Sequence, residues 1–223
     1  MRKPGARKWP VLWMGWGLGA WLLSLSGLAD ECPYAVLRTN SNAETALGAW
    51  ELQARSPRMD FPNMQDKGRV QCLRPGVWGM PVPCGASIAA TGKSLDVRVA
   101  GYQGFPEADG WIPMVAFTPK AAGKYAISGQ LKIWFNGDPN AKDAVQWAVV
   151  TAMAESAFKP LAGDKVGNGA VVKMSEQASL QAVELAAGET VGILLWRPAN
   201  RNVCGGSLTG LAVAPTPAPA AAK

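Results

Sequence analysis

Histidine occurs nowhere in the 223 residues, and that gap removes a large share of enzyme chemistry. No Ser-His or Cys-His nucleophile and no histidine-ligated metal can be assembled from this chain. Cysteine is scarce as well. Cys32, Cys72, Cys84 and Cys204 are the full set, and no two stand at C-x-x-C spacing, so neither a zinc site nor any other cofactor is expected. No repeat of fixed period runs through the sequence, and none of it has the G-x-y pattern of a collagen stalk.

The formal charge of +6 is concentrated at the start of the chain. Arg2, Lys3, Arg7 and Lys8 precede an apolar run from Trp9 to Leu28, which ends in small residues at Gly27 and Ala29. A basic head, an apolar stretch and a small-residue exit make a secretory signal peptide over residues 1–29, cut after Ala29. The chain is therefore expected to be secreted or periplasmic, with no membrane span after cleavage. The remainder holds 18 basic against 16 acidic residues, and that near balance argues against a nucleic-acid partner. In an oxidising compartment four cysteines suggest two disulfides, for which three pairings exist. Cys72 and Cys84 bracket a short Gly/Pro-rich stretch and are expected to pair, which leaves Cys32 for Cys204.

Residues 30–86 read as an irregular, cysteine-pinned extension. Within it, Glu44 to Ala54 suits a short helix with Asn42 as its N-cap. From Ser87 to Ala214 the pattern changes to strands separated by Gly and Pro turns. Leu95, Val97 and Val99 alternate with Asp96 and Arg98. Tyr125, Ile127, Leu131, Ile133 and Phe135 share one parity, against Gln130, Lys132 and Trp134 on the other. Asn168-Gly169 suggests a hairpin. The segments VQWAVVTAM and VGILLW are apolar on both faces, and a second subunit is the simplest cover for the extra face. The tail over 215–223 is Pro/Ala low complexity and reads as disordered.

Three features resemble the jelly-roll superfamily of tumour necrosis factor and the complement globular heads. The first is a Pro/Gly turn leading into Gly123, Tyr125, Ile127 and Gly129. The second is Leu185, Gly188, Glu189 and Val191 around a tight turn. The third is Gly210, expected to be buried among hydrophobics between Leu208 and Val213. The likeness covers roughly residues 87–214. It implies an all-β, antiparallel two-sheet jelly-roll sandwich that self-associates as a homotrimer.

Six tryptophans lie beyond the leader: Trp50, Trp78, Trp111, Trp134, Trp147 and Trp196. Parity turns Trp134 outward beside Gln130 and Lys132, and Trp196 away from Ile193 and Leu195. An outward aromatic next to polar groups either packs in a subunit contact or stacks on a sugar ring. Gln130, Lys132, Trp134 and Trp196 are accordingly the candidate ligand or interface residues. Glu107, Asp109, Asp138, Asp143 and Glu155 could in principle supply the paired carboxylates of a glycoside hydrolase. The oxygen-rich run at 136–143 could hold calcium, but its spacing fits no EF-hand and turn chemistry accounts for it more simply. The leading expectation is an exported, non-enzymatic binding or structural protein. A carbohydrate-binding module comes second, and a hydrolase is remote.

Overall fold

The computed structural model describes residues 29–55, 67, 68, 70–79, 86–99, 112–136, 144–153, 158–196 and 203–217. Among these residues sixteen strands follow in chain order: β1 (Asp30–Glu31), β2 (Asn42–Glu44), β3 (Gly48–Arg55), β4 (Lys67–Gly68), β5 (Gln71–Arg74), β6 (Val77–Gly79), β7 (Ser87–Thr91), β8 (Ser94–Val99), β9 (Ile112–Pro119), β10 (Gly123–Asn136), β11 (Val145–Ala152), β12 (Lys159–Val166), β13 (Val171–Lys173), β14 (Val183–Leu185), β15 (Thr190–Trp196) and β16 (Val203–Pro215). A single helical turn, α1 (Tyr34–Leu37), sits between β1 and β2.

All pairings are antiparallel and they build two sheets. Sheet A runs β13-β10-β16-β8-β7-β6-β5, with β14 also on β10 and β1 also on β16. Sheet B runs β12-β11-β15-β9-β3-β2, with β4 also on β3. Number the strands from β8 to β16 as one to eight, with β13 and β14 sharing sixth place. The inner order of sheet A is then 6-3-8-1 and that of sheet B is 5-4-7-2. Each chain crossing passes between sheets in the order that defines a jelly roll. The fold is an all-β jelly-roll sandwich by its own strand order.

The alternating residues do what alternation dictates. Leu95, Val97, Leu131, Ile133 and Leu208 from sheet A meet Leu52, Val115, Trp147, Val149, Ile193 and Leu195 from sheet B in one core. At its centre Trp50 and Phe117 pack with ring centroids 5.0 Å apart, tilted by 55°.

Several expectations are corrected. The segment from Glu44 to Ala54 is no helix. It forms the end of β2 and most of β3, because β3 registers along its whole length on β9, from Gly48 opposite Pro119 to Arg55 opposite Ile112. Helix-favouring Ala, Glu and Leu yield there to an eight-residue ladder and to burial of Trp50 and Leu52. Nor are residues 30–86 an irregular wrap. β2 and β3 widen sheet B, whereas β5 and β6 widen sheet A. Asn168-Gly169 does not close a hairpin. β12 pairs with β11 and β13 with β10, so this turn carries the chain from one sheet to the other.

Gly210 is exposed rather than buried. It is the extra residue of a β-bulge between β10 and β16, with φ of 57°. Opposite it Gly129 has φ of 135°, and a Cβ there would come within 3.0 Å of the Leu211 backbone. The bulge inverts the parity of β16. Leu208 on one side and Leu211 and Val213 on the other all point into the core.

The extra apolar face of sheet B is present as expected from the two-sided strands. Ile112, Met114, Ala116, Ala148, Val150, Phe158 and Leu194 form a second buried cluster on its outer side. Leu194 is 0% and Met114 1% exposed within a single chain.

Candidate functional site

The outer face of sheet A is built differently from that of sheet B. The residues that point away from its core are Gln130, Lys132 and Trp134 on β10, Gly205, Ser207 and Thr209 on β16, and Ser94, Asp96 and Arg98 on β8. Register aligns them in rows across the strands. One row reads Trp134, Gly205, Arg98, and the next reads Lys132, Ser207, Asp96. Gln130, Lys132 and Arg98 are exposed, and Trp134 is half-buried.

The indole of Trp134 lies across Gly205. A Cβ at Gly205 would sit 2.6 Å from Trp134 Cζ2 and 2.1 Å from the Val97 carbonyl oxygen. Only glycine leaves room for the ring at this point of the backbone. Asp96 is held in place: its carboxylate accepts from Ser207 Oγ at 2.5 Å and from Thr91 Oγ1 at 3.1 Å. Lys173 bonds Glu176 at 2.7 Å and Lys124 bonds Glu184 at 3.2 Å. Among the described residues, Lys132 and Arg98 have no ion-pair partner. Around the bulge, Gly129, Gln130, Lys173, Ser175, Thr209 and Gly210 line a shallow, open depression beside this face.

The sequence-based set therefore divides. Gln130, Lys132 and Trp134 come together, and Arg98 joins them, brought in by the pairing of β8 with β16. The alternation of β8 marks Arg98 as outward, but sequence alone does not pair β8 with β16. Trp196 is on the other sheet, half-buried against the second cluster with Met114, Leu194 and Phe158, and takes no part in this face.

The expected bond between Cys32 and Cys204 is overturned by register. The Cys32 amide donates to the Leu211 carbonyl at one end of β16, while Cys204 lies opposite Phe135 towards the other end. Seven residues of extended chain separate Leu211 from Cys204, roughly 20 Å, against a Cα separation below about 7 Å in a disulfide. Cys72 is exposed on β5, and Cys84 lies outside the described residues. Cys32 is buried, and its thiol is pushed up to about 12, first by burial and then by the Asp30 carboxylate. Burial likewise raises Tyr34 to about 12; its hydroxyl accepts the Leu211 amide at 2.8 Å.

Glu107, Asp109, Asp138, Asp143, Glu155 and the oxygen-rich run at 137–143 lie outside the described residues. Among the described residues no three His, Cys, Asp or Glu side chains gather into a metal-sized group, and no helix is long and apolar enough to cross a membrane. Buried polar side chains do occur on β3. Gln53 Nε2 donates to Glu51 Oε2 at 2.7 Å, and the Arg55 guanidinium stands 5.0 Å over the Phe158 ring. Burial lowers the Arg55 pKa and Glu51 opposes that shift. These groups border the closed apolar layer of sheet B and close it along β3.

No family model matches the sequence, and neither does any curated protein. Among solved structures, the chain is similar to the Eiger TNF of S. frugiperda at 11% identity and a TM-score of 0.34, over 62% of this chain and 96% of that one. The jelly-roll assignment stands on the strand order above.

Proposed function

We propose that this chain is an exported, non-enzymatic recognition protein that meets its ligand on the outer face of sheet A. One observation carries this reading. Trp134 lies against Gly205 in a face of polar and charged side chains, whereas the outer face of sheet B carries a buried apolar cluster. An aromatic ring on a rigid ladder, next to hydrogen-bonding groups, suits a planar contact with a sugar or a protein surface. Export rests on the leader at residues 1–29, and β1 begins at Asp30, directly after the expected cut.

The test is a glycan-array and pull-down screen with wild type and Trp134→Ala. Binding by wild type that disappears in the variant, at an unchanged melting temperature, supports the reading. Equal binding by both removes Trp134 and this face from it.

Self-association as a homotrimer is the second reading. It draws on the same ring, whose outward face could pack against another copy. Light scattering separates the two, because a strict monomer at micromolar concentration rules the trimer out.

A further inference from the structure

We infer that the ligand of this face is an acidic saccharide, a chain of pyranose rings bearing carboxylates. This inference rests on the reading of sheet A's outer face as a binding surface and adds the charge class of what binds. Three observations point to it. The indole of Trp134 lies against Gly205 on the outer side of β10 and is half-buried, an aromatic group of the kind that receives the C–H face of a sugar ring. The two cations nearest the ring are exposed and without ion-pair partners. Lys132 stands two residues along β10, roughly 7 Å from Trp134, and Arg98 stands two strands across, roughly 10 Å away. The acids on the same face are already engaged: Asp96 by Ser207 and Thr91, Glu184 by Lys124, Glu176 by Lys173.

An incoming carboxylate therefore meets a net positive charge, Lys132 and Arg98 against the hydroxyl-bonded Asp96 carboxylate, and Arg98 can take it in a two-pronged hydrogen bond. Gly205, between Trp134 and Arg98, carries no side chain and has the indole over it, so a ring stacked on the indole sits near both cations. The spacing matches a ligand of at least two sugar units, one on the ring and a second over Arg98.

The test uses the full chain purified after export. It is titrated with oligogalacturonate, oligoalginate and hyaluronan oligosaccharides, and with methyl-esterified oligogalacturonide, which keeps the rings and removes the charge. The expected result is binding of at least one acidic oligosaccharide. A galacturonate ligand should bind about tenfold or more tightly over its ester, and any binding should weaken as salt rises. Trp134→Ala and Arg98→Ala should each reduce that affinity roughly tenfold, with Trp134→Phe retaining most of it. Equal affinity for acid and ester overturns the charge inference and leaves the binding face standing. Failure of wild type to bind any of the acidic oligosaccharides also overturns it, while the array and pull-down screen decides separately whether the face binds anything. Binding that survives both single variants shows that the saccharide is held elsewhere and overturns it too.

Discussion

Gly205 is where one missing side chain sets the shape of a surface. Replacing it with alanine drives a Cβ into the Val97 carbonyl and the Trp134 ring, and the backbone contact leaves no easy escape. Gly205→Ala should cost about 1–3 kcal/mol, read as a lowered urea midpoint. It should also lift the indole from the sheet, read as a red shift of tryptophan emission. Cys32 gives a pH signature. Its thiol stays protonated in the fold up to about pH 12, whereas in the unfolded chain it ionises above roughly pH 8.5. Between those limits the unfolded state releases a proton that the folded state keeps, so stability is level below this window and falls with rising pH inside it. The slope from this group is at most about 1.4 kcal/mol per pH unit. Urea melts at pH 8 and pH 10.5 should therefore show a larger loss for wild type than for Cys32→Ala. Identical losses would remove Cys32 as a source.

Among the elements, β3 matters most for what a folding unit must contain. It brings Trp50 and Leu52 into the core and holds β9 along eight residue pairs. A fragment spanning 87–217 lacks both, and its circular dichroism should show no cooperative thermal transition. A sharp melt near that of the full chain would return β3 to the role of an accessory. Trp50→Ala in the intact chain should cost about 3–5 kcal/mol by chemical denaturation. Trp50→Phe should cost much less, since the buried indole N–H has no acceptor to lose.

β3 also marks where the sequence stops being legible. β8 and β10 could be read directly, because every second residue from Leu95 to Val99, and from Tyr125 to Ile133 apart from Gly129, is large and apolar. β3 could not, since Ala49, Glu51, Leu52 and Ala54 favour a helix locally and only pairing with a strand some sixty residues away overrules them. Asn168-Gly169 was recognisable as a turn, but which strands it joins is decided by partners far along the chain. The outward side of Trp134 followed from parity alone. Its neighbour Arg98 emerged only once β8 was seen beside β16.

For the molecule as a whole, the difference between the two outer faces sets how it can assemble. Met114, Ala148 and Leu194 on the outer face of sheet B are buried within the single full-length chain, so damage there should appear as unfolding rather than dissociation. Leu194→Asp places a charge at a position 0% exposed and should abolish the cooperative melt of the monomer. If instead light scattering found a well-folded variant that had lost only its self-association, this face would have to be an interface. The same register that separates Cys32 from Cys204 predicts that peptide mapping without reductant will find no fragment joining the two.

The pairing of β1 with the last residues of β16 sets Asp30 beside Val213, so both described ends of the chain leave the sandwich at one corner. Trp134 is nine residues from Tyr125 along β10, about 30 Å from that corner. A tag, a fused carrier or a solid support attached at either end would hold the domain by its base, with the indole at the far rim directed into the medium.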